Sequence, residues 1–131
     1  MKSKRVNSLI FWDLDGTLMH CGYDGTKALN DTFQKLYGLE DACLKARVGH
    51  SMDSVTLNRI FERYQLDKNE LEKVKEEYIH ILRRILIQDQ NKKILPGIKE
   101  ILEYTNSSDN IFNALLTNNL RRGAETKLES V

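Results

Sequence analysis

At 131 residues the chain is sized for one domain, since a fold of that length buries about two-thirds of its unfolded surface and leaves room for a small insertion rather than a second core. Twenty basic against nineteen acidic residues give a formal charge of +1, so no global field points to nucleic acid or an anionic membrane. No apolar run approaches the length of a membrane span, and the basic start Met1-Lys2-Ser3-Lys4-Arg5 leads into a run that Asp13 and Asp15 interrupt too early for a signal segment.

The segment Leu9-Ile10-Phe11-Trp12 reads as a short, buried central strand that runs straight into Asp13-Leu14-Asp15-Gly16-Thr17-Leu18. Alternate residues of a strand end point the same way, so Asp13 and Asp15 share one polar site while Leu14 turns to the apolar side. Gly16 lets the backbone leave the strand where a side chain would obstruct it. Two clustered carboxylates repel unless a cation or a shared proton relieves them, and carboxylate oxygens suit Mg²⁺ together with substrate phosphate. A DxDG turn alone would explain the composition. The apolar run upstream sets the acids instead at the carboxyl end of a strand, where open α/β sheets place their ligands.

A polar, glycine-containing passage follows through Met19-His20-Cys21-Gly22. The spacing of Leu29, Phe33 and Leu36 predicts a helix over about 26–37, stopped at Gly38. Val55, Leu57, Ile60, Phe61 and Tyr64 predict a second helix over about 51–64, and the stripe from Leu71 through Val74, Tyr78, Ile81, Leu82 and Ile85 to Leu86 predicts the longest one. In that helix Glu70, Glu72, Glu76 and Glu77 precede Arg83 and Arg84, an order that favours the helix dipole. The polar loop 89–93 ends this helical stretch, and Pro96-Gly97 turns the chain into a short helix carrying Ile98, Ile101 and Leu102. Ile111 to Leu116 reads as a second buried strand ending at Thr117-Asn118-Asn119, and Ala124, Leu128 and Val131 predict a last helix from about Arg121. Two strands cannot make a robust α/β core, so the helices over about 22–88 read as an insertion beside the sheet.

Cys21 and Cys43 form neither a ligand cluster nor a disulfide framework; they read as bystander thiols of a reducing compartment, with the cytoplasm as the expected location. His20 reads as a polar loop residue more readily than a substrate contact, because no ligand partner accompanies it. Gly49-His50-Ser51 could form a loop at the site entrance, and Arg47 reads as a solvated charge that could also meet an anionic leaving group.

Taken together, Asp13-Leu14-Asp15-Gly16-Thr17-Leu18, the strand end Leu115-Leu116-Thr117-Asn118 and the Pro96-Gly97 return resemble the haloacid dehalogenase-like hydrolase superfamily, in its phosphoglycolate-phosphatase-like branch with a helical cap. The resemblance implies an α/β, Rossmann-like core over 1–21 and 89–131 and an α-helical cap insertion over 22–88. It implies Mg²⁺-dependent hydrolysis of a small phosphomonoester: Asp13 as nucleophile forming an aspartyl-phosphate, Asp15 transferring the proton, Mg²⁺ against the Asp13 carboxylate and the Asp15 backbone carbonyl, and Thr117 holding phosphate with Asn118 and backbone amides near Gly16. Thr117 and Asn118 also suit capping of the following helix. The partner is then a small phosphorylated metabolite, with no nucleic acid and no membrane. The superfamily's third-motif lysine is expected further along than Lys127, which stands ten residues after Thr117, and its fourth-motif acids have no counterpart after Asn118. The core is therefore expected to be incomplete, as in a fragment. Two other readings stand beside hydrolysis: a sugar phosphomutase using the same acid pair, and a non-catalytic remnant that self-associates, for instance as a homodimer covering exposed core edges.

Overall fold

A computed structural model describes residues 7–46 and 51–131. Arg47, Gly49 and His50 lie outside the described residues. Strand β1 (Ser8–Trp12) pairs in parallel with β4 (Ile111–Leu115), Ser8 opposite Ile111 and Trp12 opposite Leu115. Between them come β2 (Met19–His20), α1 (Asp24–Tyr37), α2 (Ala42–Ala46), α3 (Asp53–Arg63), a 3₁₀ turn (Lys68–Glu70), α4 (Leu71–Gln88), β3 (Lys93–Ile94) and α5 (Ile98–Ser107); α6 (Arg121–Glu129) follows β4. The short β2 and β3 form an antiparallel pair, Met19 opposite Ile94, which closes the two ends of the helical stretch against each other.

The helices form where the apolar spacing predicts them, with ends set by local chemistry. Gly38 adopts a left-handed conformation (φ 66°) and returns its N–H to the Gln34 carbonyl, ending α1 as a glycine cap. Gly97 (φ 79°) turns the chain into α5 directly after Pro96. Helix α1 begins at Asp24, two residues before the expected start, because the Asp24 N–H bonds back to the Cys21 carbonyl and extends the turn. Helix α2 and the β2–β3 pair are not predicted from sequence: each is too short to show a period.

The core sits among the helices. Leu29 and Phe33 of α1, Leu57, Ile60 and Phe61 of α3, and Val74, Tyr78, Ile81, Leu82 and Leu86 of α4 are buried, joined by Leu14, Leu18 and Met19 from the turn after β1 and by Ala124 from α6. Phe33 packs against Tyr37 (ring centroids 6.0 Å) and edge-on against Phe61 (6.2 Å), tying α1 to α3. Ion pairs tie α4 to its neighbours: Lys35 of α1 to Glu77 of α4 at 2.7 Å, and Arg122 of α6 to Glu76 of α4.

The two strands do not meet the expectation of burial. Phe11 is 58% exposed and Phe112 57%, with Leu9 and Leu116 also exposed. Among the described residues each long strand has one neighbour, α5 packs on β4, and the face that carries Phe11 and Phe112 stays open. Residues of the alternate register, Trp12 and Asn113, are half-buried: the Trp12 indole N–H donates to Asn113 Oδ1 at 2.9 Å, and the Asn113 amide donates on to Thr105 Oγ1 of α5 at 2.9 Å.

Candidate active site

The parallel register brings two strand ends to one level. Trp12 is the last paired residue of β1 and Leu115 of β4, and the Leu116 N–H still donates to the Trp12 carbonyl at 2.7 Å. Asp13, level with Leu116, and Thr117, one residue beyond it, therefore leave the ladder at the same end. They open onto a cavity of about 390 Å³ lined also by Asp15, Asn118, Asn119, Lys127, the 22–26 turn and Asp53.

Leu14 turns away from this cavity into the core and is fully buried, so the alternation expected of Asp13, Leu14 and Asp15 holds. Gly16 takes φ 81° and its N–H donates to the Met19 carbonyl at 2.8 Å. That amide is committed to the turn, and Gly16 stands outside the residues that line the cavity, where its positive φ serves the backbone geometry. His20 is exposed on β2 opposite Lys93, also outside the cavity lining.

Asp15 is the most heavily bonded group of the site. Its Oδ2 accepts from the Asn119 amide at 2.6 Å, and its Oδ1 accepts from the Lys127 ammonium at 2.8 Å and from the Cys21 thiol at 3.7 Å. Burial alone would push its pKa up. The hydrogen bonds from Asn119 and Lys127, with the charge of Lys127, outweigh it and hold the carboxyl below the ordinary range. Burial pushes the Cys21 thiol up to about 11, so it stays protonated and able to donate. Cys21 is thus a neighbour of Asp15 rather than a bystander, while Cys43 is buried.

Thr117 Oγ1 accepts from the Asn119 backbone N–H at 3.2 Å and from its side-chain amide at 2.7 Å. Both bonds use the oxygen as acceptor, so the hydroxyl keeps its donor. Thr117 thus caps the Asn119 N–H in the strand-to-helix connection, and the next amide, the Leu120 N–H at the start of α6, donates to Asp53 Oδ2 at 3.3 Å. The Asp53 N–H in turn donates to the Asn118 carbonyl at 2.9 Å, fastening α3 to the β4 strand-end loop. Thr17 Oγ1 donates to Asp13 Oδ2 at 3.4 Å.

Asn119, Asp53 and Lys127 are the site residues that sequence reading did not assign. For Lys127 the signal was a cation on the same helical face as Leu120 and Ala124, seven and three residues on; for Asn119 it was the second asparagine of a strand end. Asp53 carried none, because only the fold brings α3 to that loop.

The site is an acid pair at one strand end, set beside a hydroxyl and an amide at the next, within a helix-covered α/β fold. The sequence signature of haloacid dehalogenase-like hydrolases matches residues 10–131, and the chain belongs to that family. Among solved structures it resembles a predicted phosphoglycolate phosphatase from Haemophilus somnus 129PT (18% identity, TM-score 0.56), covering 99% of this chain and 59% of that one. It also resembles a hydrolase from Pseudomonas syringae (23% identity, TM-score 0.62), covering 95% of this chain and 55% of that one. The chain thus spans little more than half the length of the solved relatives. Among curated proteins none matches it.

Proposed function

We propose that this chain carries the phosphoryl-handling acids of a Mg²⁺-dependent phosphomonoester hydrolase acting on a small metabolite. The observation that carries the reading is the meeting of Asp13, Asp15, Thr117 and Asn118 on one cavity at the ends of two paired parallel strands. A cavity of about 390 Å³ suits a small ester, and the likeness to the Haemophilus protein supports the phosphoglycolate-phosphatase-like branch.

An Asp13 carboxylate oxygen bonds to phosphorus as the ester P–O bond breaks, giving an aspartyl-phosphate; the leaving oxygen takes a proton from Asp15. Water then adds to phosphorus, gives a proton back to Asp15, and the P–O bond to Asp13 breaks, releasing phosphate. Asp15, held ionised at rest, is set for the second half. A dianionic phosphate arriving beside it favours the protonated form needed for the first. The Thr117 hydroxyl and Asn118 hold phosphate oxygens.

The residues present fit a hard divalent cation. Three carboxylates, Asp13, Asp15 and Asp53, line the cavity against one ammonium, Lys127, so a phosphate ester meets net negative charge. The Asp13 carboxylate, with the backbone carbonyl of Asp15, would hold the ion, within the one or two carboxylates that Mg²⁺ usually takes from protein; among the described residues no group of three or more His, Cys, Asp or Glu side chains gathers. When bound, Mg²⁺ neutralises charge and polarises the phosphoryl group.

The test is phosphate release from a panel of small phosphomonoesters with Mg²⁺, by the purified chain and its Asp13→Asn variant. Release lost in both the variant and chelator is expected. An undiminished rate in Asp13→Asn would refute the nucleophile.

A further inference from the structure

Among the described residues, Lys127 is the only Asp, Glu, Lys or Arg that is buried. An ammonium withdrawn from water is costly unless acceptors surround it, so its partners define its purpose. It has two: Asp15 Oδ1 and Asn119 Oδ1, both at 2.8 Å. Asn119 turns its other end to the same carboxylate, donating to Asp15 Oδ2 at 2.6 Å. The three side chains close a ring in which each touches the other two.

The ring has consequences that a simple ion pair lacks. Two different donors grip the two oxygens of one carboxylate, so rotation of that group breaks a bond whichever way it turns. Only a side chain with both a donor and an acceptor can sit at the Asn119 corner. Its amide orientation follows, since the reversed group would set an oxygen against the carboxylate and an NH₂ against the ammonium. The charges are also unequally placed: the Lys127 side chain is 6% exposed and that of Asp15 is 42% exposed. The carboxylate is thus held from the protein side, with its remaining surface left to the cavity.

Space beside the ring is matched to an ammonium. A Cβ added to Gly25, near the start of α1, would lie 3.3 Å from Lys127 Nζ, tighter than ordinary contact. Lys127 reaches the ring from α6, and Asn119 stands two residues after Thr117, so the strand end that offers the hydroxyl also supplies the grip on the acid.

We propose that Lys127 is a positioning residue: through the ring it forms with Asn119, it fixes the angle at which the Asp15 carboxylate faces the cavity. This rests on the reading of Asp15 as the proton-transfer group. It differs from the role that the family resemblance gives its third-motif lysine, because the bonds of Lys127 go to Asp15 and Asn119 rather than to the nucleophile and phosphate. Orientation of a reacting group acts on the transition state, so loss of the ring lowers kcat and leaves KM nearly unchanged.

The experiment reads the ring by NMR, without needing turnover. In the wild-type chain, the Lys127 ammonium gives a sheltered ¹⁵N–¹H signal and the Asn119 side-chain amide exchanges slowly with water. Lys127→Met is expected to speed Asn119 amide exchange about tenfold or more, the loss of one charge-assisted bond, with the cooperative unfolding transition retained. Unchanged exchange in a folded Lys127→Met chain would overturn the proposal. If that variant does not fold, Asn119→Ala decides: the Lys127 ammonium signal broadens if the ring exists, and an unaltered signal refutes it. Phosphate release is measured on the same samples. An about tenfold fall in kcat at constant KM supports positioning, whereas equal kcat in Lys127→Met and wild type overturns it. A chain that shows the ring signature but releases no phosphate, even as wild type, would remove the hydrolase reading and leave the Lys127–Asn119–Asp15 ring standing.

Discussion

In the helical layer Phe33, Tyr78, Leu82 and Leu86 are enclosed, whereas in the sheet Phe11 and Phe112 stand more than half exposed. The two regions have similar side chains and differ in how many faces are covered. Helices α1, α3 and α4 surround one another and receive Leu14, Leu18 and Met19 from the turn after β1, so their apolar stripes have partners on every side. Among the described residues, strands β1 and β4 have one neighbour each, and α5 packs on β4. The sheet keeps its order by other means: the backbone ladder, and the polar chain from Trp12 through Asn113 to Thr105. The site lies where the two regions join, with its acids on the sheet and its supporting groups on α1, α3 and α6.

The largest expected effect separates the regions directly. Phe33→Ala should cost about 3–5 kcal/mol in urea unfolding, as a large cavity in a packed core does. Phe112→Ala should cost less than about 1 kcal/mol and increase solubility, because it removes exposed apolar surface. Equal losses would mean that the open face is covered in solution.

Next in size, Asn113→Ala should cost about 1 kcal/mol by leaving the Trp12 indole N–H without its acceptor. The near-ultraviolet signal of Trp12, the only tryptophan, reports the change locally. A loss as large as that of Phe33→Ala would show that polar contacts, rather than the helices, dominate stability.

Two carboxyls bring opposite pH dependences to the boundary between the regions. Burial, then the charge of Asp89 and a hydrogen bond with it, raises the Asp24 pKa, so its contribution is present below the ordinary carboxylate range and lost as pH rises through the folded value. Asp15 is held low, so its contribution is present above that range and lost as pH falls. Asp24→Asn should therefore raise Tm near neutral pH and leave it unchanged near about pH 3, where both states carry the proton. A variant whose Tm falls at neutral pH would contradict this sign.

The smallest effect concerns the Tyr78 hydroxyl, buried in the helical layer with no hydrogen-bond partner among the described residues. Tyr78→Phe should be neutral or stabilising by up to about 1 kcal/mol in the same urea assay. A marked loss would reveal a bond that the static structure does not contain.

Much of this arrangement was legible in the sequence because it repeats with a period. The stripe from Leu71 to Leu86 spans many turns and predicted α4 well, and the alternation of Asp13, Leu14 and Asp15 predicted both the shared acid site and the burial of Leu14. The five-residue α2 and two-residue β2 offer no period to read. Burial of the strands was misjudged because an apolar run reports what a segment can bury, not whether a covering layer is present. Asp53 reaches the cavity by a fold of the backbone that leaves no trace in local spacing.

The parallel register of β1 and β4 also determines which kinds of sequence change the site can absorb. Trp12 and Leu115 end the ladder together, and only for that reason do Asp13 and Thr117 emerge at the same end. Side chains alternate along a strand, so one residue inserted into or deleted from either strand would turn its chemical end to the opposite face. Exposed positions such as Leu9 and Phe112 can vary in kind at little cost. The sheet that is most permissive about which residue occupies a position is thus the least permissive about how many residues it has.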